Sequence, residues 1–588
     1  MAPAIPSRRI RPVRPRAIAS CAAILLATAL PASTRAAQAP ASAAASAPAK
    51  LAATPEARHA AVDALFADLD KPGRPGAAIG IYQGGRAEYL KGYGYADLEQ
   101  GTRITPETVF NLASVSKHFT AFAIALLARE GKIDLDEDVR TYLPYMPDFG
   151  KRVTVNHLIH HTSGLRTSEI LFELGGQEIG GTAHQAQIPN LASRQRELNF
   201  EPGSEYLYCN LAYSLLPEIV KAVSGRSFRE FTTERMFKPL GMAHTLAQDD
   251  ATEIIPKRAP SYESGGEGKP WVRSLENYDV IGATGLMTSV QDLMKWAANF
   301  THPVVGDARL IEQMGTTGKL NDGTPINYAF GLTREKYAGH EALAHTGSSA
   351  GYRTLFAYFP KKDFAVAILM NSPGDRDGPL QAIADLYLNG GPGTLPVKPT
   401  PVAPRADVMQ AALGHYLSEY GAAVEISRDG DKLALASGGG SKTPLAFRKD
   451  GTFDLGRGGD EYYRFVRNAK QITGIEQIMP DGGRSTLHRR VELAAPTAEQ
   501  LTQLAGDYRS PELDITYRFS VENGKLVARS IWSSEPIVFT PSVTDRFDSG
   551  WWPMSTIVVQ RDAAGAPAAI RVHAGRVRNV LLERVASD

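Results

Sequence analysis

Apolar and polar positions follow three distinct patterns along the chain, and each predicts a different kind of element. Residues 118–128 (HFTAFAIALLA) are apolar nearly all round, which predicts a helix buried on every side. A second apolar stretch, 211–220, follows a turn at Glu201-Pro202-Gly203-Ser204. Residues 352–359 (YRTLFAYF) and 364–370 (FAVAILM) are instead β-type runs, and Pro360-Lys361-Lys362-Asp363 joins them as a tight connection. That is the pattern of a hairpin. From 406 onward the pattern changes to short alternating strands. Turn signals such as Asp481-Gly482-Gly483 recur there at hairpin spacing.

These shifts divide the 588 residues into folded and linking segments. A first folded region spans 56–388. Residues 389–405 (NGGPGTLPVKPTPVAPR) form a linker stiffened by its prolines. The tail then splits into 406–492 and 493–588, whose halves look like copies. Leu413-Gly414-His415-Tyr416 precedes Asp431-Lys432-Leu433, and Leu504-Ala505-Gly506-Asp507-Tyr508 precedes Gly524-Lys525-Leu526. Each half reads as a small antiparallel β-barrel or sandwich.

The N-terminus carries an export pattern. Arg8, Arg9, Arg11, Arg14 and Arg16 precede an apolar stretch over 17–32, with Thr34-Arg35-Ala36 and Ala37-Gln38-Ala39 as cleavage sites. Residues 1–39 read as a signal peptide, too short for a membrane span, and 40–55 as a flexible Ala/Pro/Ser leader. The expected location is periplasmic or secreted. Cleavage removes six arginines and no acidic residue, taking the formal net charge from +1 to −5. No basic patch argues for nucleic acid, and no later apolar run is long enough to cross a bilayer. Cleavage also removes Cys21 and leaves Cys209 alone, so no intramolecular disulfide is expected. Oligomeric state is left open.

Candidate chemistry lies in three motifs: Ser114-Val115-Ser116-Lys117, Tyr208-Cys209-Asn210 and His345-Thr346-Gly347. A serine hydroxyl needs a base within hydrogen-bond reach to become a nucleophile. On a helix, Lys117 lies one turn from Ser114 on the same face, and burial lowers a lysine's pKa into the range of a base. Tyr208 supplies a phenol that relays protons if a neighbouring ammonium favours its phenolate, and Asn210 an amide to hold Lys117 and a substrate carbonyl. Four competing patterns are set aside. Gly347-Ser348-Ser349-Ala350-Gly351 matches a nucleophile elbow, but strands rather than a helix follow Ser349. Tyr387-Leu388-Asn389 repeats the second motif but ends a helical pattern at Gly390. Cys209 reads as a small apolar filler, and His160-His161 as structural. No spacing such as H-E-x-x-H marks a metal site, so the reaction is expected to need no metal and no cofactor.

The motifs and their surroundings resemble the serine β-lactamase, penicillin-binding and esterase superfamily, in its class C-like branch. The resemblance rests on Phe110-Asn111-Leu112-Ala113 before Ser114, on 153–165 (VTVNHLIHHTSGL), on Glu201-Pro202-Gly203-Ser204 before Tyr208, and on 285–293 (GLMTSVQDL). It implies a β-lactamase/transpeptidase-like α/β (α+β) domain over 56–388, an antiparallel sheet with helices plus an all-helical subdomain. It also implies an acyl-serine intermediate on Ser114, with Lys117 and Tyr208 as the acid/base pair. Asn210, His345 and Gly347 would contact substrate, and the backbone N–H groups of Ser114 and Ser348 would form the oxyanion hole.

Class C β-lactamases carry lysine where His345 stands, so an anionic drug would be held less firmly. His-x-Gly is more similar to D-aminopeptidases, whose relatives carry lipocalin-like barrels with a loop that narrows the active site. Candidate loops here are Ser437-Gly438-Gly439-Gly440-Ser441 and Ser549-Gly550-Trp551-Trp552-Pro553, with packing the favoured role for the two tryptophans. The expected function is an exported serine hydrolase of small or D-residue peptides, amides or esters. The alternatives are a carboxylesterase, a β-lactamase or DD-carboxypeptidase, and a penicillin-recognising sensor.

Overall fold

Unbroken burial along 77–82 and 364–370 marks the central strands of a sheet covered on both faces. Six antiparallel strands run in the order Thr333–Tyr337, His340–Ser349, Tyr352–Phe359, Phe364–Met370, Ala77–Gln83, Arg86–Tyr93. Successive side chains of a strand point to opposite faces. Ala77, Ile79 and Ile81 therefore pack with Val62 and Phe66 of the helix Pro55–Phe66 and with Leu380 and Ile383 of Asp377–Ala384. Ala78 and Tyr82 face the other way, onto Val290, Leu293 and Trp296 of the helix Val290–Thr301. A sheet covered on both faces needs no polar residue in its central strands. The expected hairpin forms in the register Arg353↔Met370 to Phe359↔Phe364.

The computed structural model describes residues 54–586 apart from 178–180, 267, 396–399, 438–440, 456–461, 469–470, 479–486 and 533–534. The export segment, the Asp481-Gly482-Gly483 turn and the middle of the 437–441 loop thus lie outside the described residues. Among the described residues no helix is long and apolar enough to cross a membrane.

The all-round apolar stretch is the helix Ser116–Arg129, buried from Ser116 to Leu127. It packs against Asn210–Ser224, which ends on Gly225 in the left-handed conformation (φ 71°), where the lack of a Cβ removes the strain. The second Tyr-x-Asn is structural: Tyr387 joins the core on the far face of the sheet, and Gly390 caps the helical turn.

The tail forms two β units, each introduced by a short helix, Ala406–Ala411 and Ala498–Gln503. The first is a nine-stranded antiparallel sheet. Its two edge strands, Thr443–Pro444 and Ala446–Phe447, are separated in sequence by one residue, so it nearly closes. The second, Gly506–Ser510 to Val577–Arg584, is a closed eight-stranded barrel with strands in sequential order. Its interior is filled by Tyr508, Phe519, Phe539, Ile570 and Val572. The copied segments adopt the same geometry. Gly414 and Gly506 have φ of 140° and 141°. An arginine from each unit's last strand, Arg490 or Arg584, lies 5.9 or 5.7 Å over the following tyrosine, Tyr416 or Tyr508.

One helix joins the closed barrel to the first domain. Ser168–Leu174 buries Ile170, Leu171 and Leu174 in the barrel's own hydrophobic core, and Tyr517 donates a hydrogen bond to the Leu174 carbonyl at 2.7 Å. Just before it, Arg166 is fully buried. It pairs with Glu512 at 2.7 Å and donates to the carbonyls of Arg578 (2.9 Å) and Asn579 (3.2 Å). The barrel is thereby seated against the mouth of the first domain.

Candidate active site

Ser114 stands on a tight turn, Ala113–Val115, that runs into the buried helix. Ala113 holds a left-handed φ of 48°, and its N–H donates to the Asn111 side chain at 2.7 Å. An alanine in that region is strained and persists only where its surroundings fix it. Gly347 is part of that fixing. A Cβ there would lie 2.2 Å from Thr354 Oγ1, 2.3 Å from the Leu112 carbonyl and 3.0 Å from the Ala113 Cβ, so the strand His340–Ser349 touches the turn backbone to backbone. That strand is internal as far as Ala344. Beyond it the Thr333–Tyr337 partner ends, which leaves 345–349 with one free edge beside Ser114.

Lys117 Nζ donates to Ser114 Oγ at 3.1 Å and to the Ala283 carbonyl at 2.8 Å. Its burial drives the ammonium's pKa well below the usual lysine value, with Glu169 opposing and Arg576 reinforcing that shift. A neutral amine beside a hydroxyl is a competent base. Tyr208 stacks on His161 (4.2 Å between ring centres), and Lys117 Nζ sits 4.8 Å over its ring. The condition for a Tyr208 phenolate, a neighbouring ammonium, is weakened by the lowered pKa of Lys117, and the phenol is the resting form. Burial raises the Tyr208 pKa more than the hydrogen bond with Ser114 and the Arg576 charge lower it.

Asn210 opens its helix, with its N–H on Thr167 Oγ1 (3.1 Å) and its side-chain amide on Glu169 Oε1 (3.0 Å). The amide thus goes to Glu169, where the sequence suggested Lys117. His345 exchanges a hydrogen bond with Tyr328 (3.0 Å), and burial beside Lys117 pushes its pKa down to about 3. It is neutral, as the substitution for lysine suggested. Ser348 contacts Arg376, which also holds the Gly347 carbonyl. Ser349 is bound to Glu276 (2.6 Å) and Tyr278 at the end of a strand that turns straight into the next strand. Cys209 is buried, with its thiol pushed up to about 12 by that burial.

A cavity of about 260 Å³ opens beside Ser114, lined by Ser114, Ser348, Asn210, Phe172, Glu169 and Glu173 among others. The two glutamates come from the helix Ser168–Leu174, whose opposite face is in the barrel. Burial, with Glu169 close by, raises the Glu173 pKa to about 8, while the Trp552 indole opposes. Arg576, from the turn between the barrel strands Pro567–Ala574 and Val577–Arg584, also reaches the site. Its guanidinium lies 4.6 Å over the Tyr208 ring and 3.6 Å from Glu169. Sequence reading missed Glu169, Glu173 and Arg576. The i,i+4 spacing of the glutamates was the one available signal for that pair, and nothing local marks Arg576. Of the two loops proposed to reach the site, the one at Trp551-Trp552 packs on the barrel core and touches Glu173.

The beta-lactamase family profile matches residues 62–389. The chain belongs to the beta-lactamase family. The D-aminopeptidase of Gluconobacter oxydans is 26% identical over 550 residues, covering 90% of this chain and 98% of that protein. The D-aminopeptidase of Brucella canis is 25% identical, covering 87% and 96%. Among solved structures, the octameric penicillin-binding protein homologue from Pyrococcus abyssi is 26% identical with a TM-score of 0.50, covering 71% of this chain and 96% of that one. This family member is thus a serine hydrolase of the peptidase and amidase kind, and the matched shares of the chain are too large to leave out either β unit entirely.

Proposed function

We propose that the protein is an exported D-aminopeptidase-like hydrolase, which removes a small or D-configured residue bearing a free amino group from an amide or peptide. The carrying observation is the pair Glu169 and Glu173 in the cavity beside Ser114. Glu169 offers a carboxylate to an α-ammonium, and Glu173, which burial keeps largely protonated up to about pH 8, becomes a second when such an ammonium ionises it, while an acidic acyl residue finds no partner there. The cavity's volume suits a small side chain, and the D-configuration is supported by the two relatives named D-aminopeptidase. The neutral His345 weighs against a β-lactamase. The Arg-rich, apolar N-terminus supports export.

In this reading Ser114 Oγ attacks the scissile carbonyl as its proton passes to the neutral Lys117 amine. The oxyanion is received by the backbone N–H groups of Ser114 and Ser348, donors of a kind that contributes ~3–4 kcal/mol to the transition state. Collapse breaks the C–N bond, and Tyr208 hands a proton to the departing nitrogen and regains it from Lys117. Water then attacks the acyl-serine with Lys117 as base, releasing the acid and restoring Ser114. Asn210 holds Glu169 in place.

The test is hydrolysis by residues 40–588 of D- and L-alanine p-nitroanilides, a short-chain p-nitrophenyl ester and a chromogenic cephalosporin, with Ser114→Ala alongside. Selective turnover of the D-anilide, lost in Ser114→Ala, is expected. Turnover confined to the ester or the cephalosporin refutes the reading, as does activity that survives Ser114→Ala. N-terminal sequencing of the periplasmic fraction tests export.

A further inference from the structure

Resting on that reading, we infer that Arg576 selects the leaving group: the barrel's last hairpin makes this hydrolase prefer unblocked dipeptides, whose leaving residue carries a free carboxylate. The groups around Ser114 are chemically unlike. Glu169 and Glu173 line the cavity beside it. Tyr208, the proton donor to the leaving nitrogen in the proposed mechanism, is not among the residues lining that cavity, and the Arg576 guanidinium lies 4.6 Å over its ring. A residue leaving past Tyr208 therefore departs alongside a cation, and in a dipeptide its carboxylate is only two bonds from the scissile nitrogen.

Three further observations favour this role. The Arg576–Glu169 pair is loose at 3.6 Å, and its side chains are 45% and 35% exposed. Pairs this accessible contribute little and open readily. Glu169 is held independently by Asn210 (3.0 Å) and Thr167 (2.5 Å), so it stays in place when Arg576 moves. A zwitterionic dipeptide can replace the internal pair with two new ones, its ammonium on Glu169 and its carboxylate on Arg576. Finally, three other basic groups near Ser114 are occupied or unsuited. Arg376 is engaged with the Gly347 carbonyl and Ser348, Lys117 is the buried base, and His345 is neutral.

The turn that carries Arg576 is itself anchored. Asn199 receives the Arg578 N–H at 2.8 Å and donates to the Arg576 carbonyl at 3.0 Å, which fixes the turn on the first domain. The backbone of Arg576 is thus clamped, while its side chain is held by the exposed Glu169 pair and the face of the Tyr208 ring.

The experiment compares kcat/KM for D-alanyl-glycine and D-alanyl-glycinamide, which share ammonium and scissile bond and differ only in the terminal carboxylate. D-alanine p-nitroanilide serves as the reference. The wild-type ratio of dipeptide to dipeptide amide is expected to be at least about tenfold, the scale of one charge-assisted contact. In Arg576→Met the ratio collapses to about 1 whatever happens to the absolute rates, and in Arg576→Lys it is partly retained. Turnover of the anilide without a carboxylate preference, or a preference that survives Arg576→Met, overturns this inference and leaves the proposed function standing. Failure of the wild type to cleave any of the three D-alanyl substrates overturns both.

Discussion

Arg166→Met tests how firmly the barrel is held against the active site. Arg166 is 1% exposed and its partner Glu512 4%, at an N–O distance of 2.7 Å, so losing the guanidinium strands a carboxylate inside the protein. Breaking one side of a buried pair typically costs ~3–5 kcal/mol. The more accessible pairs across the same interface, Arg571–Glu197 at 2.7 Å and Arg194–Asp514 at 3.7 Å, fall in the class worth ~0.2–1 kcal/mol each. Buried Ile170, Leu171 and Leu174 each contribute ~1.5–3 kcal/mol, so the barrel stays docked in most molecules. It nevertheless opens more often by about two to three and a half powers of ten. The carbonyls that Arg166 holds belong to Arg578 and Asn579, close neighbours of Arg576, so catalysis falls together with docking. Urea unfolding followed by tryptophan fluorescence reads the loss, because Trp532, Trp551 and Trp552 of the five tryptophans lie in the barrel region. Limited proteolysis reads undocking. Arg166→Met/Glu512→Leu removes both charges and recovers most of the stability. An Arg166→Met protein within ~1 kcal/mol of wild type, or a double variant less stable than the single one, would refute the argument.

Three further outcomes follow from the same geometry. Gly347→Ala places a Cβ 2.2 Å from Thr354 Oγ1 and 2.3 Å from the Leu112 carbonyl. It should cost ~1–3 kcal/mol in stability and lower kcat more than tenfold by displacing the turn under Ser114; unchanged kcat would show that the contact is irrelevant. Glu173 has a folded pKa of about 8, raised by burial, so the folded state resists its ionisation and stability declines as pH rises from the ordinary carboxylate range to 8. Glu173→Gln should therefore melt above wild type at pH 9 and match it near pH 4, in thermal melts across that range. In the acid range, burial holds His157 and His573 at about 4 and His345 at about 3. The unfolded chain binds protons below pH 6.5 that these three sites refuse, which outweighs the single glutamate. Tm should fall steadily from pH 6.5 to 4, and a flat profile would exclude buried neutral histidines.

What the sequence made legible was chemistry carried by neighbours in the chain. Ser114 and Lys117 are three residues apart, so a helix alone brings them to 3.1 Å. The hairpin over 352–370 follows from two apolar runs and a short polar connection, and the β-lactamase-type domain with its barrel tail from motifs in a fixed order. The helix Ser168–Leu174 was illegible for the opposite reason. Its seven residues, SEILFEL, hold two faces at once: Ser168, Glu169, Phe172 and Glu173 toward the cavity, and Ile170, Leu171 and Leu174 toward the barrel. Neither face has a purpose until the barrel is in position, and the barrel's position depends on Arg166 and Glu512, which no local pattern pairs. Arg576 follows the same logic. It lies on the last hairpin of the chain and gains meaning only from Tyr208 and Glu169, which the tertiary fold places beside it. On the proposed function, the three motifs would run the reaction, while the selection of substrate would be spread over an interface between domains. Changes confined to the 574–577 turn should accordingly alter which leaving groups are accepted while the chemistry at Ser114 stays the same.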